Sequence, residues 1–171
     1  MAVLRGVRVA LRAVVEGDLA RLREILGEPG VARWGFELGD EELLGIETDD
    51  DLAMSAFAIE LAGRVVGWIG GWEKNHPEYR HAGIDLFLAD DAQGKGLRPE
   101  AIRLVCRYLF DERGHHRITI DPAAANEHAI RAYEKVGFRR VGVLRQYERG
   151  PDGSYHDGVL LDMLRADLRD D

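Results

Sequence analysis

A single cysteine, Cys106, in 171 residues excludes a disulfide framework and leaves no cysteine cluster to hold a metal. Prolines number only five, and no Pro- or Ser-rich linker, internal repeat or low-complexity tract divides the chain, so one domain is expected over residues 1–171. No apolar run approaches the roughly 18 to 20 residues that a membrane-spanning helix needs. The stretch from Met1 to Arg12 alternates Val, Leu and Arg too evenly for a secretion signal, and no small-residue cleavage site follows it. The expected compartment is the cytoplasm, with no membrane partner. The most local absence is of positive charge. Between Trp34 and Gly63 there is no Lys or Arg, against nine acidic residues (Glu37, Asp40, Glu41, Glu42, Glu47, Asp49, Asp50, Asp51 and Glu60). The whole chain carries 23 basic and 31 acidic residues, a net charge of −8, so all of the excess lies in that one stretch. Such a sign argues against a nucleic-acid partner. It leaves two readings open, a solvated loop or helix face and a surface for a cationic partner.

What remains is an ordinary globular composition, 46% hydrophobic and 32% charged. Val7 to Val14 reads as a first strand. Glu16 to Leu26 places Leu19, Leu22, Ile25 and Leu26 at helical spacing, stopped by Gly27 and Pro29. In the acidic stretch only Leu43, Leu44 and Ile46 offer an apolar grip, which predicts a short helix or an arm between Gly39 and Asp51. Phe57, Ile59 and Leu61 alternate, and a turn at Gly63-Arg64 predicts a hairpin with Val65 to Trp72. Gly83 to Ala89 alternates too, with Ile84, Leu86 and Leu88 on one face and Asp85 and Phe87 on the other. A helix from Arg98 to about Phe110 carries Ile102, Val105, Cys106 and Leu109 as its apolar stripe, with Pro99 in its first turn. A short strand at Arg117 to Ile120 follows. Asn126 is placed to cap a helix ending at Val136 and Gly137. Phe138 to Tyr147 and Tyr155 to Leu164 are two last strands around a Gly150-Pro151-Asp152-Gly153 turn. This order of elements predicts an α/β fold built on a mixed sheet.

Two segments carry chemistry. Gln93-Gly94-Lys95-Gly96-Leu97-Arg98 joins a strand to a helix. Its glycines let backbone approach a ligand closely, the helix N-terminus offers unpaired N–H groups to an anion, and Lys95 and Arg98 add formal charge. It lacks the Gly-Lys-Ser/Thr ending of a Walker loop and the Rossmann glycine spacing. By itself it is equally a glycine turn before a helix. The second segment is Ile120-Asp121-Pro122 through Asn126 to Ala129-Ile130-Arg131-Ala132-Tyr133-Glu134-Lys135-Val136-Gly137-Phe138. Asn126 and Tyr133 stand two helical turns apart on one face, where a phenol is also an ordinary core residue.

Together and in this order, the two segments resemble the GNAT superfamily of acetyl-CoA-dependent N-acetyltransferases over nearly the whole chain. The resemblance implies a mixed sheet of about seven strands flanked by about four helices, with two splayed central parallel strands, here Gly83 to Ala89 and Arg117 to Ile120. It implies acetyl-CoA as co-substrate, contacted by Phe87, Leu88, Gln93, Gly94, Lys95, Gly96, Leu97, Arg98, Asn126 and Tyr133, with the pyrophosphate on the glycine loop and the pantetheine arm between the splayed strands. One departure stands out. The family usually has Gly or Ala at the sixth loop position, where this chain has Arg98, a side chain able instead to pair with a phosphate.

Within the superfamily, Gly83-Ile84-Asp85 and Thr119-Ile120-Asp121-Pro122 resemble the aminoglycoside 6'-N-acetyltransferases. That resemblance implies Asp85 as base on the acceptor amine, Asp121 as a holder of the cationic acceptor, and Tyr133 as the acid that protonates the departing thiolate. The chemistry is coherent: only a neutral amine attacks a thioester, so a carboxylate must take its proton. A phenol of ordinary pKa near 10 matches a thiolate, and a backbone N–H near Phe87 is the expected donor to the thioester carbonyl. No covalent enzyme intermediate is required, and Cys106 reads as a core residue.

Trp34 and Trp72 are candidates to stack on an acceptor, or equally core residues. His115-His116 lacks a third ligand at metal spacing and reads as surface, so no metal is expected. His76, His81, Glu73 and Glu78 are placed in one loop before the Asp85 strand. Tyr155 to Asp157 loosely resembles an acceptor-facing final hairpin. The expected activity is acetyl transfer to a primary amine of a small cationic acceptor, an aminoglycoside first. A ribosomal-protein N-terminus or a polyamine is the alternative acceptor, and a non-catalytic acyl-CoA-binding sensor is a third reading. The superfamily resemblance allows a homodimer. In that frame the acidic stretch borders the acceptor cleft, Lys95, Arg98 and Arg103 form the phosphate end, and neutralising Asp49, Asp50 and Asp51 is expected to raise KM for a polycation.

Overall fold

The structure, a computed structural model, describes residues 1–46 and 52–170. An eight-stranded sheet in the order β1-β2-β3-β4-β5-β6-β8-β7 runs through it. The strands are β1 (Leu4–Arg5), β2 (Val9–Ala13), β3 (Leu52–Leu61), β4 (Arg64–Lys74), β5 (His81–Leu88), β6 (Arg117–Ile120), β7 (Arg139–Arg149) and β8 (Tyr155–Leu164). The helices are α1 (Leu19–Leu26), α2 (Pro29–Ala32), α3 (Asp40–Leu44), α4 (Leu97–Arg107) and α5 (Glu127–Val136). The mixed α/β reading holds, with one strand and one helix more than about seven and about four. The additions, the two-residue β1 and the single-turn α2, are too short to leave a periodic signal. The Glu16 to Leu26 helix begins as a 3-10 turn at Glu16–Asp18, and the Arg98 helix ends in a π turn at Tyr108–Glu112. The hairpin between β3 and β4 turns at Ala62 and Gly63, both at positive φ, one residue earlier than expected because Leu61 and Arg64 already pair.

Central strands β3, β4 and β5 are buried on both faces. Trp68 on β4 lies on one face and donates its indole N–H to the Leu43 carbonyl of α3 at 3.0 Å. Gly71, on the opposite face, lies under Leu109 of the π turn. Cys106 sits in this core fully buried, and burial pushes its thiol pKa up. It packs and does not react.

At the start of β5 a polar group is buried as well. Glu73 is 1% exposed and holds His115 at 2.7 Å and Arg113 at 3.0 Å. This corrects two expectations: Glu73 lies in β4, not in a loop, and His115 is interior, not surface. The alternation of β4 turns Glu73 inward, and the charge is tolerated because both its oxygens are bonded. Burial holds the His115 imidazole below its usual pKa against the pull of Glu73.

The decisive feature is how β5 and β6 meet. They pair in parallel through Ala82–Ile118 and Gly83–Thr119 only, whereas β4 pairs with β5 all the way from Lys74–His81 to Gly67–Leu88. Beyond Gly83 the two strands part. Close packing between β4 and β5 holds one wall of the gap: a Cβ on Gly67 would lie 2.4 Å from the Phe87 carbonyl oxygen. Gly67→Ala should therefore force β5 to shift and destabilise the protein by about 1–3 kcal/mol, read as a lowered urea midpoint with an unchanged slope.

Candidate active site

The parting of β5 and β6 opens a cleft of about 600 Å³. Its lining brings together Asp85, Phe87 and Leu88 from β5, Asp121 after β6, Asn126 and Tyr133 of α5, and Gln93 and Arg98 from the loop and first turn of α4. Trp34 joins them from the segment after α2. Two segments far apart in sequence, the glycine loop and the Asp121 to Tyr133 stretch, thus meet because α4 packs against α5.

Asp85 is open to the cleft but otherwise ringed by protein, and its carboxyl pKa is pushed up to about 7. Burial is the main cause, and the negative charges of Asp121 and Glu148 add to it. A hydrogen bond from the Leu86 amide at 2.9 Å and the charge of Arg98 pull the other way. Tyr133 is 4% exposed. Burial raises its phenol pKa, and Arg98, by charge and hydrogen bonding, opposes the rise. Arg98 therefore does not simply turn outward. It stands where the cleft meets the loop recess and acts on both proposed catalytic groups.

Backbone donors follow from the ladder. The Ala89 amide donates to the Val66 carbonyl of β4, and the Phe87 carbonyl lies against Gly67 of β4. Alternation then turns the amides of Leu86 and Leu88 to the side from which β6 has departed. Since the Leu86 amide is taken by Asp85, Leu88 is the amide directed at the gap. The donor expected near Phe87 is thus its neighbour, because Phe87's own amide faces β4.

In the loop, Gln93 donates to the Leu88 carbonyl at 3.0 Å. Gly94 and Gly96 have φ of 71° and 73°, a conformation in which a side chain is strained. A recess of about 250 Å³ opens there, lined by Gly94, Gly96 and Leu97 and by the cations Arg98, Arg131 and Lys135. Nothing lies within 4 Å of a Cβ built on Gly94. Room, directed N–H groups and positive charge suit a diphosphate. Lys95 is exposed and does not line the recess; Arg103 donates to the Arg169 carbonyl. The positive charge at this end comes instead from Arg131 and Lys135 of α5, one turn apart and on the same helix face. Asn126 caps α5 by accepting from the Ala129 amide at 3.3 Å.

Trp34 presents to the cleft a ring already covered on one face by the Arg33 guanidinium, 4.7 Å from its centroid. Trp72 is absent from the cleft lining. It stands edge-on to His81 and over Gly83, where the glycine leaves room for the indole. The acidic stretch is also redistributed. Asp40 pairs with Arg23 and Glu60 with Arg12, the Glu42 carboxylate accepts from the Gly39 amide at the start of α3, and among the described residues of the stretch only the acidic Glu37 lines the cleft. Glu47, Asp49, Asp50 and Asp51 lie outside the described residues.

Tyr147, Glu148 and Arg149 line the site without having been singled out, and Glu37 had been named only as a member of the acidic stretch. The register of β7 against β8 shifts between Leu144 and Glu148, with Gln146 at φ 46° and its amide on the Asp157 carboxylate at 2.8 Å. This bulge re-aims the end of β7. Tyr147 then donates its hydroxyl to Asp121, and that bond is the main reason its pKa is pushed up to about 12. The Glu148 carboxyl pKa is raised as well, by desolvation first and then by the Asp121 charge. Apart from half-buried Leu144, β7 is exposed throughout, so it carries no alternation from which the bulge could be read.

The acetyltransferase (GNAT) domain family matches residues 8–139. The aminoglycoside N(6')-acetyltransferase type 1 of Klebsiella pneumoniae is 30% identical over 162 residues, 85% of this chain and 79% of its own length. The spermidine N(1)-acetyltransferase of Escherichia coli K12 is 28% identical over 158 residues, 88% of this chain and 83% of its own. The structure of AAC(6')-Ib in complex with ribostamycin and coenzyme A superposes with a TM-score of 0.73 at 28% identity, covering 93% of this chain and 94% of that one. Sequence, fold and cleft agree: the chain belongs to the GNAT family and is an acetyl-CoA-dependent N-acetyltransferase.

Proposed function

We propose that this enzyme acetylates a primary amine of a small polycation, with the 6'-amine of an aminoglycoside as the leading acceptor. One observation carries the reading: the carboxylates of Glu37, Asp85, Asp121 and Glu148 line a single cleft together with the Tyr133 phenol. Negative charge that raises the pKa of Asp85 and of Glu148 is relieved by a ligand with several ammonium groups. Aminoglycosides and spermidine, the molecules named for the two relatives, both have them.

Acetyl-CoA supplies a thioester whose acetyl group a neutral amine can take. The loop amides of Gly96 and Leu97, with Arg98, Arg131 and Lys135, are the groups that would hold its diphosphate. Asp85 draws in the acceptor ammonium and removes its proton. With a pKa of about 7 it is divided between carboxylate and acid at neutral pH, which suits a general base. The Leu88 amide is the donor for charge developing on the carbonyl oxygen. Tyr133 keeps its proton on the phenol oxygen, because burial disfavours phenolate, and delivers it to the departing sulfur. Arg98 eases that delivery by stabilising the phenolate left behind. Asp121, positioned by Tyr147, and Glu148 hold further ammonium groups.

The pH dependence follows in sign. Asp85 works as carboxylate, and its pKa is raised, so kcat/KM should fall as pH drops through about 7. Glu148→Gln removes a charge that raises that pKa, so the acidic limb should move to lower pH while KM for a polycation rises in a salt-dependent way. Asp85→Asn should lower kcat by at least about 100-fold with the Kd for acetyl-CoA within about twofold of the parent, measured by calorimetry; full activity would remove Asp85 as base. Tyr133→Phe should slow thiol release and leave acceptor KM little changed. The acceptor class is tested by thiol release with a kanamycin-type aminoglycoside, spermidine and an N-terminal peptide. Turnover is expected on the aminoglycoside. Turnover on spermidine alone moves the assignment to polyamines, and turnover on the peptide alone overturns it.

A further inference from the structure

Arg8, in the turn between β1 and β2, reaches across to the glycine loop some 90 residues later in the chain. Its guanidinium Nη1 donates to the Lys95 carbonyl and its Nη2 to the Gly96 carbonyl at 2.9 Å. Its Nε donates to Glu100 Oε2 at 3.2 Å. Glu100, in the first turn of α4, uses its other oxygen to accept from the Arg8 and Val9 amides at 2.7 and 3.1 Å. The contact is tight. A Cβ on Gly6 would lie 2.3 Å from Glu100 Oε1, and one on Gly96 would lie 3.2 Å from Arg8 Nη2.

The peptide group is planar and trans, so its N–H points opposite to its C=O. Holding the Lys95 carbonyl toward Arg8 therefore aims the Gly96 amide away from Arg8, and holding the Gly96 carbonyl does the same for the Leu97 amide. The recess of Gly94, Gly96, Leu97 and Arg98 is lined by those two residues. Glycine adopts either sign of φ readily, so the Lys95–Gly96 peptide is locally free to turn over and present its carbonyl oxygen to an anion, while the Gly96–Leu97 peptide is also held by the start of α4. Glu100 in turn holds the Arg8 guanidinium by this ion pair; these contacts keep the Glu100 pKa below the usual value against the effect of burial.

We propose that Arg8 is a positioning residue for the donor: by capturing the carbonyls of Lys95 and Gly96 it directs the Gly96 and Leu97 amides at the diphosphate of coenzyme A. This rests on the assignment of the glycine loop to that diphosphate. Arg8 itself lies behind the loop and touches neither reacting group.

The test compares acetyl-CoA with S-acetylpantetheine, which has the same thioester and arm but neither the diphosphate nor the phosphoadenosine beyond it. Arg8→Ala should lower kcat/KM for acetyl-CoA about tenfold more than for S-acetylpantetheine, a loss of the size seen when partners that orient ligand groups are removed. The loss should fall on KM rather than kcat, with Arg8→Lys restoring part of it. Glu100→Gln keeps the acceptor for both amides but loses the charge facing Arg8. It should shift the same ratio by a few-fold in the same direction, and it supplies the reading if Arg8→Ala fails to fold. Equal losses on the two donors, or an unchanged preference in both variants, overturn the role of Arg8 alone. A parent enzyme that shows no preference for acetyl-CoA over S-acetylpantetheine overturns the loop assignment and with it this proposal.

Discussion

β5 and β6 share only the pairs Ala82–Ile118 and Gly83–Thr119, and the chemistry of the molecule depends on the strands parting after them. A parallel sheet normally buries its strands by pairing them throughout. Here the pairing is released from Ile84 onward, which leaves backbone amides, the carboxylate of Asp85 and an open cleft of about 600 Å³. That opening is sustained from the other side. Gly67 lets β4 press against Phe87 and Leu88, and Phe87 is wedged between Trp68, stacked at 5.8 Å, and Phe36, edge-on at 5.6 Å. Rigid packing on the β4 side thus holds the unpaired edge in place on the β6 side.

Around that opening charge is largely sorted by sign, with Arg98 and Arg149 standing in the lining of the acidic cleft. Carboxylates from four separate places in the chain line the proposed acceptor end, and burial, with the charges of Asp121 and Glu148 added, brings the Asp85 pKa near neutrality. Cations of α4 and α5 line the recess at the loop. Arg98 stands between the two and acts on Asp85 and Tyr133 together. A small residue at that position would leave Tyr133 with burial unopposed. An arginine there is compatible with a working acid, and it links the proposed donor end of the site to the proposed proton-transfer groups. At the far end of β5, away from the cleft, the Glu73–His115–Arg113 cluster locks β4 to the segment before β6, where the strands are still paired.

The residues most plainly readable from the sequence were those whose position depends on local pattern. Alternation around Asp85, the glycine loop before α4 and the two-turn spacing of Asn126 and Tyr133 each concern a few neighbouring residues, and Asp85, Asn126, Tyr133 and the loop residues other than Lys95 line the cleft or its recess. Trp72 and Trp34 were not separable by such reasoning. Both are aromatic residues near a turn, and only the packing of Trp72 on Gly83 and His81 removes it from the cleft lining. Nor was the placement of the acidic stretch readable: a count of charges contains no partners, and ion pairs with Arg12 and Arg23 occupy two of its members. His115 was misplaced for the same reason, since a histidine shows no apolar periodicity of its own and its burial depends on Glu73 from another strand.

The sequence by itself determined the class of fold, the family and the local devices, because helix caps, turn glycines and strand alternation act over a few residues and leave their pattern in composition. Tertiary structure decided everything that needs two distant segments at once. It set the pKa of Asp85, which depends on how much protein surrounds it and on Asp121 and Glu148 nearby. It brought Tyr147 and Glu148 into the cleft through a bulge in an exposed strand. It also placed Arg8 behind the loop, where its bond to the Lys95 carbonyl selects one orientation of a peptide that glycine alone leaves free. Electrostatic shifts and peptide orientations are properties of neighbours in space, and the chain acquires those neighbours only on folding.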